Sequence, residues 1–483
     1  MNPPSPGHAP RVVAVVMAAG LGTRMRSRTP KLLHELAGRP MVAYVVDAGR
    51  AATGQRPVVV TSPATAGIRE VLDGVDWALQ AEPRGTGDAV AAALDAIPDD
   101  ADEILVLTGD APLLEPDLLR ELLDERRLDE AAIALIAVDA IDPGNLGRVI
   151  RDDAGTVDRI VERKDATDEE IAVNEVNSGL YVFDAAWLRA RIGSLSPSPK
   201  TGELYLTELV ERARADGRLV AALTVEDDGR LTGINDRAEL AQAEWDLRTR
   251  INAEHMRAGV TMRDPSTVYV DATVALAADV TLDPNVILRG ETSVGEGTTI
   301  GAGTQVVDST IGSGCLVWAS IVESSTIEDG ARVGPFSHLR PGSHVGRDAE
   351  VGNFAELKSA RLGAGVKQHH VSYLGDAEVG EGTNVGAGTI TANYDGSRKH
   401  RTTIGKRVFL GVDTMLRAPI TLGDDAKTGA GAVVTKDVPA GKLAVGVPAR
   451  IREPRPIEPE APEPAPAAES AAESAATTSD GAG

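Results

Sequence analysis

The sequence predicts a doubly wound α/β domain, then a linker helix, then a parallel β-helix. Three observations carry this. Between residue 11 and about residue 230, short aliphatic runs at 11–16, 57–60 and 104–107 alternate with Ala-rich helical patterns. From residue 264 onward, aliphatic residues recur six apart: Val294, Ile300 and Val306, then Ile327, Val333, Leu339, Val345, Val351 and Leu357, later Val379 and Val385. Between these stretches lies one long polar segment with a narrow apolar stripe.

Each element follows from its pattern. Unbroken aliphatic runs of strand length are buried on both faces, so strands separated by helices imply a mostly parallel sheet with ligands at its carboxyl edge. Asp236 with Glu239 offers a capping-box start, Leu240, Ala243, Leu247 and Ile251 supply the stripe, and Gly259 ends the helix. A hexapeptide period with Gly after the aliphatic residue, as in Val333-Gly334 and Val351-Gly352, is the pattern of a three-faced prism. The period slips near Leu362 and across Thr391 to Thr403, where a loop should leave the wall. The expected divisions are a disordered N-terminus over 1–10, a nucleotide-handling domain over 11–235, a linker helix over 236–263, a β-helix over 264–451 and a disordered Pro/Ala/Glu tail over 452–483.

Composition sets limits. The chain has 483 residues, 42% hydrophobic and 25% charged, as in a soluble globular protein. With 50 glycines and 3% aromatics it reads as turn-rich. A net charge of -23 disfavours a broad nucleic-acid-binding face. One cysteine, Cys315, excludes an intrachain disulfide and a Cys-based zinc site, and it reads as packing. No long apolar run predicts a membrane span, and no signal peptide is evident, so a cytoplasmic protein is expected.

The first candidate site opens where the first run ends. Ala18-Ala19-Gly20-Leu21-Gly22-Thr23-Arg24-Met25 is a Gly-rich turn whose backbone N–H groups can cradle phosphate oxygens. It is neither a P-loop nor a dinucleotide fingerprint. Arg24 and Lys31 supply cations that could approach a polyphosphate; by themselves they read equally as surface charges on a tight turn. Asp110 ends the 104–107 run, where a carboxylate suits Mg²⁺ or, alone, simply a turn or an N-cap before Pro112.

Taken with Pro30-Lys31, Gln80, Gly85-Thr86-Gly87, Gly109-Asp110, Glu162-Arg163-Lys164-Asp165, Asn177-Ser178-Gly179, Tyr205-Leu206-Thr207-Glu208 and Asn235-Asp236-Arg237, the set resembles the sugar-1-phosphate nucleotidyltransferases. With the hexapeptide repeat behind it, the chain resembles a family of bacterial bifunctional enzymes. These are N-acetylglucosamine-1-phosphate uridyltransferases fused to glucosamine-1-phosphate acetyltransferases, homotrimers with a left-handed β-helix. Their product is a precursor of peptidoglycan and lipopolysaccharide. The resemblance implies that Ala18, Ala19, Gly20, Gly22, Thr23, Arg24 and Lys31 hold the nucleotide phosphates, Arg24 and Lys31 being catalytic. It implies that Gln80, Gly85 and Thr86 read uracil, that Gly147, Glu162, Asn177 and Asn235 hold the sugar, and that Asp110 and Asn235 bind Mg²⁺. The co-substrates would be UTP and acetyl-CoA.

In the β-helix, Arg340, Lys358, His370, Tyr373, Asn384, Asn393, Tyr394 and Lys399 gather where the repeat is irregular. A lone His on a solenoid is more often a surface or turn residue. The resemblance implies that His370 is the base that deprotonates the glucosamine amine, a task that suits imidazole. It implies that Arg340, Lys358, Tyr373, Asn384 and Lys399 meet the sugar phosphate, and that Ala387, Asn393, Tyr394, Val412 and Ala430 border acetyl-CoA. His369 is expected in solvent. Three places depart from the family: Asn145-Leu146 before Gly147-Arg148, Val412 where Ser is usual, and a C-terminal end, Gly446 to Arg450, without a cleanly placed Arg. Two other classes compete, a nucleotidyltransferase whose β-helix only assembles subunits and a non-catalytic sugar-nucleotide sensor.

Overall fold

The computed structural model describes residues 10–453. The disorder expected over 1–10 and 452–483 falls outside these residues, except at Pro10, Arg452 and Glu453. The strands of the first sheet are β1 (Val12–Met17), β2 (Val58–Thr61), β3 (Asp76–Leu79), β4 (Glu103–Thr108), β5 (Ile133–Asp139), β6 (Arg148–Arg151), β7 (Val157–Val161), β8 (Glu175–Asp184) and β9 (Val220–Glu226). Their order is β9-β5-β8-β4-β1-β2-β3, with the β6–β7 hairpin attached to β8. β1 runs parallel to both β2 and β4, and every residue of β2 is buried. β8 is antiparallel to β4 and β5. The chain between β5 and β8 forms the hairpin and the short helix Asp168–Ile171, not the covering helix that a parallel crossover needs.

Helices cover both faces. Helices Met41–Thr53 and Pro116–Leu128 pack through Val42, Val45, Leu119 and Leu122 on one face. Helices Thr86–Ala93, Ala185–Arg191 and Glu208–Ala215 pack through Val90, Leu188 and Leu209 on the other. This is the doubly wound architecture.

The linker helix runs Arg237–Arg257, with Asp236 accepting from the amides of Ala238 (2.8 Å) and Glu239 (3.0 Å). The capping box is displaced by one residue, because Glu239 reaches back to the amide of Asn235 (2.5 Å) rather than that of Asp236. Ala243, Leu247 and Ile251 are buried and Leu240 half-buried. Gly259 follows with φ 102°. Strand Thr261–Met262 already pairs with Thr281–Leu282, so the first rung of the prism forms inside the stretch expected as linker. The turn after strand Glu35–Leu36 seats on both halves: the Ala37 amide donates to Glu244 (2.8 Å) and its carbonyl accepts from Ala272 (2.9 Å).

The rest is a left-handed parallel β-helix whose three walls are sheets of 12, 10 and 9 short strands. Val333, Leu339 and Val345 lie on successive walls and all point inward, fully buried. Arg332 pairs with Glu350 and Glu350 with Lys367, but Asn384 pairs with Phe409, since the coil between them carries a hairpin closed by a Tyr394–Lys399 bridge. Among the described residues, no helix is long and apolar enough to cross a membrane. Cys315 is buried in the wall, and burial raises its thiol pKa.

Candidate functional sites

Parallel β1 and β4 deliver their C-terminal ends side by side, so the Gly-rich turn and Asp110 share one edge. Gly22 has φ 61°, and a Cβ there would lie 2.3 Å from Cβ of Lys31; only Gly lets the turn close on the lysine segment. Two cavities open at this edge. One, of about 350 Å³, is lined by Ala19, Gly20, Lys31, Gln80, Gly85, Thr86 and Asp110 together with Glu203 and Tyr205. The other, of about 550 Å³, is lined by Arg24, Asp110, Gly147, Glu162, Asn177 and Asn235. Asp110 and Thr108 border both. Ala18, Gly22 and Thr23 line neither: Ala18 is buried beneath the turn, Gly22 packs on Lys31, and Thr23 faces solvent.

The polar groups interlock. Lys31 Nζ donates to Asp110 Oδ2 at 2.5 Å and to Asn235 Oδ1 at 3.4 Å, and Arg24 donates to Asn235 Oδ1 at 2.7 Å. Thus the oxygens of Asp110 and Asn235 converge on one cation, here the lysine ammonium. Two oxygen donors plus phosphate and water suit Mg²⁺. Among the described residues there is no group of three or more His, Cys, Asp or Glu that could hold a metal ion. Asp110 is not an N-cap; the next helix begins at Pro116. Gln80 is buried, and its amide donates to the Gly85 carbonyl (3.1 Å) and to Asp88 (2.8 Å), which fixes its outer edge toward the first cavity. Burial holds the Glu162 carboxyl above its ordinary range, opposed by the Thr207 hydroxyl, which donates to it at 3.3 Å.

On the β-helix, register brings the second set together in part. Arg340 pairs with Lys358 and Lys358 with Gly375 on adjacent rungs of one wall, where Tyr373 also lies. Lys399, on the hairpin, meets Lys358, and with Arg340 it holds the Lys358 ammonium below its ordinary pKa. Such a cluster calls for an anion. A Cβ on Gly375 would lie 2.3 Å from the Tyr373 hydroxyl and 2.6 Å from the Asn393 amide, so Gly375 keeps those two groups adjacent. Asn393 is buried and donates to Asp376 (2.5 Å); Tyr394 is exposed and its hydroxyl donates to the Gly396 carbonyl (2.6 Å).

His370 is exposed, and among the described residues its ring has no hydrogen-bond partner. His369 is half-buried rather than free in solvent, its Nε2 at 2.8 Å from Glu350. Gln368, Val385 and Leu410 are register partners, so His370, Ala387 and Val412 fall at one corner of successive coils, with Ala430 on the next. Asn384 lies on the other wall of that corner, away from the cations. Two supporting acids go unread in the sequence, Asp376 behind Asn393 and Glu356, which accepts from Arg340 at 3.0 Å; a third, Glu239, reads there only as a capping partner and stands behind Asn235. Only Glu239 left a signal, as half of the displaced capping box.

Comparison with known proteins agrees with this layout. Residues 14–177 match the family model of a MobA-like NTP transferase domain, and residues 401–436 match a hexapeptide repeat of succinyl-transferase. The chain is 43% identical over 438 residues to the bifunctional protein GlmU of Pelobacter propionicus, covering 90% of this chain and 95% of that one. It is 44% identical over 438 residues to that of Kineococcus radiotolerans, covering 90% and 89%. To that of Mycobacterium tuberculosis it is 41% identical over 440 residues, covering 89% of each.

Proposed function

The chain belongs to the GlmU family of bifunctional proteins, and from that premise we propose that its two domains make UDP-N-acetylglucosamine in two steps. In the first, the amine of glucosamine-1-phosphate attacks the thioester carbonyl of acetyl-CoA. His370 takes the amine proton, the carbon–sulfur bond breaks, and the thiolate leaves and is protonated to CoA. Arg340, Lys358 and Lys399 hold the sugar phosphate, with Tyr373 beside the sugar. Asn393, Tyr394, Ala387, Val412 and Ala430 border the cofactor.

In the second step, a phosphate oxygen of N-acetylglucosamine-1-phosphate attacks the α-phosphorus of UTP, and pyrophosphate leaves. Positioning and charge neutralisation suffice for such a transfer. Gln80, Gly85 and Thr86 read uracil in the smaller cavity, while Gly147, Glu162 and Asn177 take the sugar in the larger. Arg24, Lys31 and the Gly20 turn bind the phosphates between them. Asp110 and Asn235 would hold Mg²⁺, which when bound neutralises phosphate charge.

The observation that carries the two-site reading over a mere scaffold is the meeting of Arg340, Lys358 and Lys399 on the wall beside the His370 corner. An assembly scaffold has no need of three cations gathered at one place, only Arg340 of them ion-paired among the described residues, to Glu356. A homotrimer is supported by the exposed stacked pair Phe336 and Phe354 (ring centroids 5.4 Å apart), on the two coils below that corner. Cytoplasmic residence is supported by the need for UTP and acetyl-CoA.

The test is CoA release from acetyl-CoA with glucosamine-1-phosphate in wild type and in His370→Ala. Pyrophosphate release from UTP with N-acetylglucosamine-1-phosphate is the control. Loss of CoA release by about 10²–10⁴-fold in the variant alone is expected. Wild type without CoA release but with intact uridylyl transfer would leave the scaffold reading standing.

A further inference from the structure

Arg148 is 2% exposed, and among the described residues no carboxylate forms an ion pair with it. Its guanidinium is spent on backbone carbonyls instead. Nη1 donates to Pro143 (3.2 Å) and to Leu146, Nη2 to Gly144 (3.3 Å), and Nε to Ile171 (3.4 Å). Three of these four acceptors belong to the loop at 143–147. That loop is Pro-Gly-Asn-Leu-Gly, with two glycines and no strand or helix of its own. Its Gly144, Asn145, Leu146 and Gly147 line the larger cavity, and Gly147 lies beside Glu162, since a Cβ there would be 3.6 Å from the Glu162 Oε1. Gly147 is tied to the neighbouring strand β8, since its carbonyl accepts from the amide of Asn177 at 2.9 Å. Burying a guanidinium without a counter-charge is costly, so the arrangement calls for a return elsewhere.

We propose that Arg148 is a positioning residue for the sugar-phosphate acceptor, gripping the 143–147 loop from behind and holding that wall of the acceptor cavity in its binding shape. The inference rests on the reading of the larger cavity as the sugar site. Arg is required because a planar fork can address several carbonyls at once, whereas a lysine ammonium is one point charge on a flexible stem. The nucleotide cavity does not touch this loop, so the effect should fall on the acceptor alone.

The test compares Arg148→Ala and Arg148→Lys in the full chain, by steady-state uridylyl transfer and by amide hydrogen exchange. In both variants KM for N-acetylglucosamine-1-phosphate should rise about tenfold or more, the cost of roughly one charge-assisted hydrogen bond. KM for UTP and the rate of acetyl transfer should hold. Guanidinium ion, but not urea at the same concentration, should restore part of the Arg148→Ala loss, which a general loss of folding would not allow. Amides at 144–147, and that of Asn177, which donates to Gly147, should exchange faster while those of β8 from Tyr181 to Asp184 do not. An unchanged acceptor KM, or equal rises in both KM values without rescue, would overturn the proposal; so would unchanged exchange at 144–147. A wild type with no uridylyl transfer would instead refute the sugar-site reading, and the exchange comparison would still decide whether Arg148 holds the loop.

Discussion

Asp110 matters at the residue scale because it borders both cavities and shares one cation with Asn235. Asp110→Asn keeps the shape and removes the charge. Uridylyl transfer should fall by about 10²–10³-fold, as for loss of a charge-stabilising group, with acetyl transfer intact; pyrophosphate and CoA release measure the two. Glu162 makes the opposite trade. Burial raises its pKa above the ordinary 4.5, so the folded state binds its proton more tightly than the unfolded chain does. Its ionised form therefore costs stability, a cost absent below pH 4.5 and growing as pH rises through the folded pKa. Glu162→Gln should melt higher than wild type at neutral pH, with the gap closing as pH falls toward 4.5, while KM for the sugar phosphate rises. Thermal melts across pH, with kinetics beside them, check both signs.

At the scale of elements, the linker helix borders the larger cavity through Glu239. Its N-terminal turn holds Asn235 through Glu239, and Asp236 caps the amides of Ala238 and Glu239. Asp236→Ala should cost about 1 kcal/mol, typical of a lost N-cap, seen as a lower denaturation midpoint. Glu239→Ala should weaken uridylyl transfer more than it weakens stability, because it frees the backbone that presents Asn235. The hairpin carrying Lys399 is likewise built rather than loose. Asp395 accepts from the amides of Arg398 (2.7 Å) and Ser397 (2.8 Å) and from the His400 ring (2.7 Å), and these contacts hold its carboxyl well below the usual range. Period counting exposed this insertion as a slip in the repeat; it did not show that the hairpin turns Lys399 back onto Lys358.

For the whole molecule, the two sites lie on different domains joined by one helix, and the first domain touches the prism through Ala37. Each activity should survive loss of the other. In the proposed trimer the second would depend on assembly, since the stacked pair Phe336–Phe354 lies on the edge that leads to the His370 corner. Phe354→Glu should convert trimers to monomers by light scattering and depress acetyl transfer, leaving uridylyl transfer within about twofold, as expected for a distant independent site. A trimeric Phe354→Glu would remove this edge from the interface.

What the sequence by itself determined was what repeats or travels as a local motif. The hexapeptide period specified the prism because each aliphatic residue must point inward on successive walls. The aliphatic runs specified β1, β2 and β4 because only fully covered strands can be apolar throughout. The Gly-rich turn with Arg24 and Lys31, and Asp110 at a strand end, were legible because strand order puts such positions at one edge. Tertiary structure alone decided the rest. It joined Asn235 to Asp110 through residues far apart in the chain, turned β8 antiparallel, and moved the capping glutamate from Asp236 to Asn235. It also buried Arg148 among carbonyls. None of these leaves a period or a spacing in the sequence, because each depends on where distant backbone is brought by packing.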